Sequence, residues 1–196
     1  MGLVKKWQIE KSNTLTLANN LVEIADGAVT PAKLSFGTWE KIGEISVTSS
    51  VQSVSFTNLD GNNDKFYMLA YSVKNSDTAN SRRYHLRFND DDGANYYRQY
   101  LVANETTVSA GGDADLTYTT FTSVNAGGTV TGVAYIYAVT GENRKHISIA
   151  GRGKAVIIWA GSWQNSSSNI TKLTIFNADG NYIGAGSRFV LFRISQ

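Results

Sequence analysis

The feature that most constrains the fold is an alternation of apolar and polar residues with a period of two, which recurs along most of the chain. In one such stretch the residues run Arg83, Tyr84, His85, Leu86, Arg87, Phe88. Because successive side chains of a strand point to opposite faces, this stretch predicts a strand with one core face and one solvated face. Further candidate strands cover residues 39–47, 52–58, 65–74, 96–102, 116–124, 131–139, 145–150, 154–159, 170–176 and 188–194.

Turn signals rich in Asn, Asp and Gly separate these candidate strands. They lie at residues 60–63, 91–93, 110–112, 125–128 and 179–181. The single proline, Pro31, lies outside every candidate strand, as ladder hydrogen bonding requires. Many short strands with such turns predict an all-β, antiparallel, two-sheet β-sandwich, and about ten strands favour a jelly roll over an immunoglobulin-like sandwich.

Composition limits the chemistry that the chain can carry. Its 196 residues suffice for one sizeable core, and the net charge of +2 comes from scattered Lys and Arg, which argues against nucleic-acid binding. The chain has no cysteine, so disulfides, thiolate zinc sites and cysteine nucleophiles are excluded. We therefore expect no cofactor and no metal.

The first residues predict a separate N-terminal segment. It has no apolar run long enough for a signal peptide, and no stretch of the chain reaches the roughly 18 apolar residues of a membrane span, so we expect no membrane insertion. We place a boundary that divides an extended attachment or oligomerisation segment, residues 1–37, from a sandwich domain, residues 38–196. The segment is too short for a core of its own and needs a partner surface, either the edge of its own sandwich or neighbouring subunits. Its candidate oligomerisation residues are Leu15, Leu17, Leu21, Val22, Ile24, Val29 and Leu34.

Three phrases carry a family resemblance. Residues 26–34, DGAVTPAKL, resemble a phrase that recurs in phage tail-fibre and other virion structural proteins, where it joins an attachment segment to a distal domain. Residues 86–96, LRFNDDDGANY, and residues 186–194, GSRFVLFRI, are similar to β-sandwich domains of phage minor structural proteins. The resemblance implies a virion component without a secretion signal, a homotrimer whose jelly-roll head contacts other virion proteins or a host-surface glycan.

Catalytic residues are sparse. The two histidines, His85 and His146, fall on predicted polar strand faces, and no Gly-x-Ser-x-Gly turn supplies a nucleophile. The acidic run from Asp90 to Asp92 lacks the spacing of a calcium-binding EF-hand, so a plain turn is favoured over a calcium site. These observations predict that the chain is not an enzyme.

Aromatic and basic residues supply the candidate ligand-binding groups. Sugar rings stack on Trp and Tyr, so the candidates are Trp163, beside a Ser/Asn-rich loop, and Tyr96, Tyr97 and Tyr100, after the acidic turn. Subunit packing and ordinary local packing are the alternatives for these side chains. Trp39 and Trp159 are assigned to the core. Three interpretations are open for the row formed by Arg83, His85 and Arg87: a site for an anionic glycan, a contact with a neighbouring subunit, or a plain solvated sheet face.

Three hypotheses follow from these observations. The first is a viral structural protein that acts in virion assembly or decoration and in host attachment. The alternative is a carbohydrate-binding module or lectin. The third and least favoured is an enzyme, a polysaccharide depolymerase associated with a virion.

Overall fold

The computed structural model describes residues 15–18, 21–24 and 39–194. The chain divides into two compact units, residues 1–38 with 195–196 and residues 39–194. The role of the first unit as an attachment segment remains a prediction.

The described part of the first unit is a two-stranded antiparallel hairpin, formed by β1 (Leu15–Ala18) and β2 (Leu21–Ile24). Leu15 pairs with Ile24, Leu17 with Val22 and Ala18 with Leu21. Val29 and Leu34, the other two candidate oligomerisation residues, lie outside the described residues. The oligomerisation role of this set is therefore still a prediction.

The second unit is built almost wholly from strands. Its elements are β3 (Trp39–Ser46), β4 (Ser53–Thr57), α1 (Gly61–Asp64), β5 (Phe66–Lys74), β6 (Arg82–Phe88), β7 (Tyr96–Asn104), β8 (Thr107–Leu116), β9 (Thr119–Val124), β10 (Thr129–Tyr137), β11 (Arg144–Arg152), β12 (Ala155–Trp163), β13 (Lys172–Phe176) and β14 (Arg188–Ile194). No helix in the described part of the chain has the length and hydropathy needed to cross a membrane.

The strands form two antiparallel sheets, which confirms the predicted sandwich. The larger sheet has the order β3-β14-β5-β10-β11-β12-β7-β8, and the smaller one has the order β4-β13-β6-β9. Eight strands, β3 to β6, β9, β10, β13 and β14, form two facing sets of four in the orders β3-β14-β5-β10 and β4-β13-β6-β9, which is the strand order of a jelly roll.

Two hairpins are inserted into this jelly roll. The hairpin β7–β8 lies in the chain between β6 and β9, and the hairpin β11–β12 lies between β10 and β13. Both hairpins join the larger sheet, which thereby has eight strands against four in the smaller sheet. Strand β9, at the edge of the smaller sheet, contacts β12, β11 and β7. The inserted hairpins therefore bring side chains of β7 and β12 next to those of β9.

The core lies between the sheets and follows the alternation in the sequence. Tyr84, Leu86 and Phe88 of β6 are fully buried and pack against inward residues of the larger sheet such as Leu69 and Ile136. The residues between them on β6 project from the opposite face of the smaller sheet. This opposite face carries the predicted basic row.

Close packing of β9 on β12 depends on Gly161. A Cβ atom at this position would lie 2.1 Å from Oγ1 of Thr119 and 2.5 Å from Cε1 of His146. No real side chain tolerates such distances, so glycine is required here. The glycine lets β9 approach β12 and fixes the position of the residues that follow Thr119.

Three details differ from the predictions. Ala110, Gly111 and Gly112, predicted as a turn, lie within β8, where the ring of Tyr100 lies against Gly111: a Cβ there would be 2.7 Å from the Tyr100 hydroxyl. The predicted strand 116–124 is interrupted after Leu116, and β9 begins at Thr119. Trp39, predicted for the core, is 41% exposed, whereas Trp159 is buried as predicted.

Candidate functional site

The predicted basic row lies on the outer face of the smaller sheet, on β6. Arg83 is exposed, Arg87 is half-buried and His85 is 4% exposed. Arg98 of β7, which the sequence did not single out, also acts on His85: the charges of Arg98, Arg83 and Arg87 each lower the pKa of that histidine. We call Arg83, His85, Arg87 and Arg98 the basic strip.

His85 is the buried centre of the basic strip. Its ring packs against Tyr118, with ring centroids 4.1 Å apart, and against Phe176, at 5.4 Å. Burial and then the charges of the three arginines lower its pKa to about 3. The imidazole is therefore neutral at physiological pH. The prediction that His85 and His146 lie on solvated faces is wrong, because both side chains are buried.

Thr120 of β9 joins His85 to Arg98. Its hydroxyl oxygen lies 3.0 Å from Nδ1 of His85 and accepts a hydrogen bond of 2.8 Å from Nη1 of Arg98. Since the guanidinium can only donate, the hydroxyl proton is free to be donated to the histidine. Asp113 accepts from Nε of Arg98 at 2.8 Å and so neutralises part of its charge.

Arg83 and Arg87 differ from Arg98 in having no acidic partner. Within residues 39–194, no carboxylate forms an ion pair with either guanidinium. Arg87 donates from Nε to the carbonyl oxygen of Thr117 and lies 4.7 Å above the ring of Phe176. Arg83 lies 5.7 Å from the ring of Trp159. Both cations are thus held on aromatic rings and remain available to an anion.

A groove of about 610 Å³ adjoins the basic strip at Arg87. It is lined by residues of β4, β6 and β13 and of the adjoining loops: Gln52, Ser53, Ser55, Arg87, Asp90, Asp92, Tyr118, Lys172, Thr174, Phe176 and Ala178. Lys172 forms an ion pair of 2.5 Å with Asp90, and the hydroxyl of Thr174 donates to the same carboxylate at 2.9 Å. The hydrogen bond from Lys172 is the main reason that the pKa of Asp90 is lowered. The groove therefore combines hydroxyls, two aromatic rings, one unpaired cation at Arg87 and, at Asp92, one carboxylate with no ion pair within residues 39–194.

The candidate aromatic residues do not form one site. Tyr100 packs against Trp159, with centroids 4.9 Å apart, and so lies beside Arg83 and Arg98. Tyr97 is exposed, but its side chain lies on the outer face of the larger sheet.

Trp163 and Tyr96 are not available to a ligand, which corrects their predicted role. Trp163 is 1% exposed, and its indole Nε1 donates a hydrogen bond of 2.6 Å to the carboxylate of Asp91. The hydroxyl of Tyr96 accepts from the backbone N–H of Phe88, and its ring stacks on Trp163. These rings hold the acidic turn in place. Asp91 itself accepts from the backbone N–H of Gly93, so its carboxylate is used within the turn.

No metal site appears in the described part of the chain: it contains no group of three or more His, Asp or Glu side chains placed to hold an ion.

No protein-family model and no curated protein matches the chain. Among solved structures, alginate lyase Aly36B is similar at a TM-score of 0.37, with 14% identity over 78% of this chain and 80% of that one. A mutant of the same lyase in complex with alginate tetrasaccharide has a TM-score of 0.37 and 13% identity, over 77% of this chain and 78% of that one. A protein of unknown function from Shewanella oneidensis MR-1 has a TM-score of 0.22 and 12% identity, over 83% of this chain and 78% of that one.

The lyases overturn the expectation that the chain is not an enzyme, because solved sandwiches similar to it include enzymes. A likeness at this level assigns neither activity nor substrate to this chain. The structure itself shows an antiparallel β-sandwich.

Proposed function

We propose that the chain is a carbohydrate-binding β-sandwich whose basic strip and adjoining groove bind an acidic glycan. The observation that carries the proposal is the pair of guanidiniums, Arg83 and Arg87, held on aromatic rings with no acidic partner in residues 39–194. A guanidinium fork matches the geometry of a carboxylate or sulfate group, the acidic groups of such glycans.

The surroundings of the two arginines support the same ligand class. The groove volume, about 610 Å³, lies in the range of sites for small ligands. Tyr118 offers a half-buried ring, and Ser53 and Ser55 offer hydroxyls to sugar hydroxyl groups. Arg83 and Arg87 are four residues apart on one strand, which separates their Cα atoms by about 13 Å. That separation suits a chain of several sugar units better than a single anion.

Calorimetric titration with paired oligosaccharides tests this proposal. One member of each pair carries uronic carboxylates, as alginate oligomers do, and the other is the same sugar reduced to its neutral form. We expect measurable binding of the acidic member only, weakened by added salt because exposed charges are screened. Equal binding of the neutral member would contradict the proposal. Absorbance of unsaturated products, followed in the same samples, shows whether the bound glycan is also cleaved.

A second proposal concerns the setting in which such binding would act. The resemblance of residues 26–34 and 86–96 to phage structural proteins favours a virion component that presents the sandwich to a host-surface glycan. Deletion of residues 1–37 tests it: the sandwich should still fold and bind glycan but lose attachment to the particle. Attachment without these residues would contradict this division of roles.

A further inference from the structure

The outer face of the larger sheet is apolar across most of its width. The exposed large hydrophobic side chains of the described residues are all on this face: Trp39, Phe66, Tyr97, Leu101, Val108, Tyr135, Ile147, Ile149 and Val156, each between 41% and 65% exposed. The outer face of the smaller sheet has none of them. A soluble surface seldom concentrates apolar side chains in this way unless they meet a partner.

The strand register aligns these side chains in continuous rows. One row crosses seven neighbouring strands from β14 to β8 through directly paired residues, namely Val190, Ala70, Val133, Ile149, Ile158, Leu101 and Ala110. The next row runs through Phe192, Met68, Tyr135, Ile147 and Ala160. No residue of either row is charged.

Charged side chains on this face stand at its margins. Arg188 and Lys41 both pair with Glu44 at the β3–β14 side, and Lys145 lies at the end of β11, 3.6 Å from Glu142. An apolar centre with a charged rim is the usual composition of a surface buried between proteins.

The size of this face agrees with that of a specific interface. Seven strands spaced at about 4.8 Å make the first row about 29 Å wide. Val156 and Val108 extend the apolar patch beyond this row on one side, and Trp39 and Phe66 extend it beyond the second row on the other side. The patch thus takes up the space of about three rows, or roughly 20 Å along the strands. The resulting area is about 600 Å² on one copy, or about 1,200 Å² when two copies meet, at the lower end of the range for stable complexes.

We propose that the outer face of the larger sheet is an interface between copies of this chain. One continuous apolar patch on each copy can be buried against the same patch of a second copy, as two sheets pack face to face. Association through this face leaves the basic strip, on the opposite outer surface of the sandwich, open to ligand. The assembly thus presents several glycan-binding surfaces at once and raises avidity.

The absence of cysteine allows a direct test on the full chain. Ile149→Cys places one thiol at the centre of the apolar face, and Thr57→Cys places one on the exposed outer face of β4 as a matched control. The rate of reaction with a thiol reagent is measured from nanomolar to high micromolar protein. We expect Cys at 149 to react at least about tenfold more slowly at the high concentrations and the control to react at one rate throughout.

Each other result overturns the proposal. Slow reaction at every concentration would mean that a segment of the same chain covers the face, and fast reaction at every concentration would mean that nothing covers it. Light scattering after size exclusion supplies the second measurement: Ile149→Glu should weaken association at least about tenfold, whereas Thr57→Glu should not. Association that survives Ile149→Glu would also overturn the proposal.

Discussion

The hydroxyl oxygen of Thr120 lies 3.0 Å from Nδ1 of His85. The same oxygen accepts from Arg98, so Thr120 links the histidine to the arginine. Burial of His85 opposes its protonation, as do the charges of the arginines around it. The basic strip therefore owes its positive charge to arginine alone and should bind anions over a wide pH range.

Acid should destabilise the fold through its two histidines. Burial lowers the pKa of His85 to about 3 and that of His146 to about 4, against 6.5 in the unfolded chain. Stability is therefore full above pH 6.5 and falls as the pH drops from 6.5 towards these folded-state values. Between pH 7 and pH 5 we expect each histidine to lower the free energy of unfolding by about 2 kcal/mol. Urea unfolding at the two pH values measures the loss.

The variant His85→Gln separates the two contributions. Since it removes one of the two titrating groups, its loss of stability between pH 7 and pH 5 should be about half that of the parent chain. An unchanged pH dependence would show that His85 is not buried in its neutral form.

Arg87→Ala should weaken binding of an acidic oligosaccharide by about tenfold, because a charge-assisted hydrogen bond of about 1.5 kcal/mol is lost. The matched control is Arg188→Ala, which removes the same charge from the larger sheet, where Arg188 pairs with Glu44. Titration calorimetry at one ionic strength compares the two variants. Equal losses of affinity would mean that only the net charge matters and that Arg87 makes no specific contact.

Trp163→Phe should lower stability without changing glycan affinity. The substitution keeps most of the ring packing on Phe88 and Tyr96 but removes the hydrogen bond to Asp91. We expect a loss of about 1.5–3 kcal/mol in the free energy of unfolding, measured by urea titration, because the acceptor is a charged group. Tenfold weaker binding by a variant that remains folded would restore Trp163 as a ligand-binding residue.

Gly161→Ala should destabilise the sandwich and weaken glycan binding together. The added methyl group would force β9 away from β12 and move Thr120, which orients His85 and Arg98. Gly151→Ala, in β11 of the same sheet, is the control, because a Cβ at residue 151 would have no atom within 4 Å. Thermal unfolding should show that Gly161→Ala lowers the free energy of unfolding by about 1–3 kcal/mol. Equal stability of the two variants would contradict the close contact.

Period-two alternation predicted most of the strands because the jelly roll buries one face of each of them. It missed β8, because that strand has no buried residue on either face. It placed Tyr84, Leu86 and Phe88 in the core, as the structure confirms. The turn signal at residues 110–112 was misleading. Gly111 and Gly112 predicted a turn, but Gly111 makes room for the ring of Tyr100 on the neighbouring strand.

The candidate site was predicted only in part, since alternation shows that residues share a face but not what lies opposite. Arg83, His85 and Arg87 share an outer face as predicted, yet the burial of His85 depends on Tyr118 and Phe176, far along the chain. Trp163 looked like a loop aromatic because its partner, Asp91, is 72 residues away. The role of Arg98 was not predicted, because its position beside Trp159 depends on how the two inserted hairpins pair in the larger sheet.

Chemical-shift mapping by NMR with an acidic oligosaccharide tests the glycan-binding site most directly. We expect the largest shifts on the basic strip and the groove, at Arg83, Arg87, Tyr118 and Lys172, and small shifts on the outer face of the larger sheet. Shifts confined to the larger sheet, or none at millimolar glycan, would contradict this expectation.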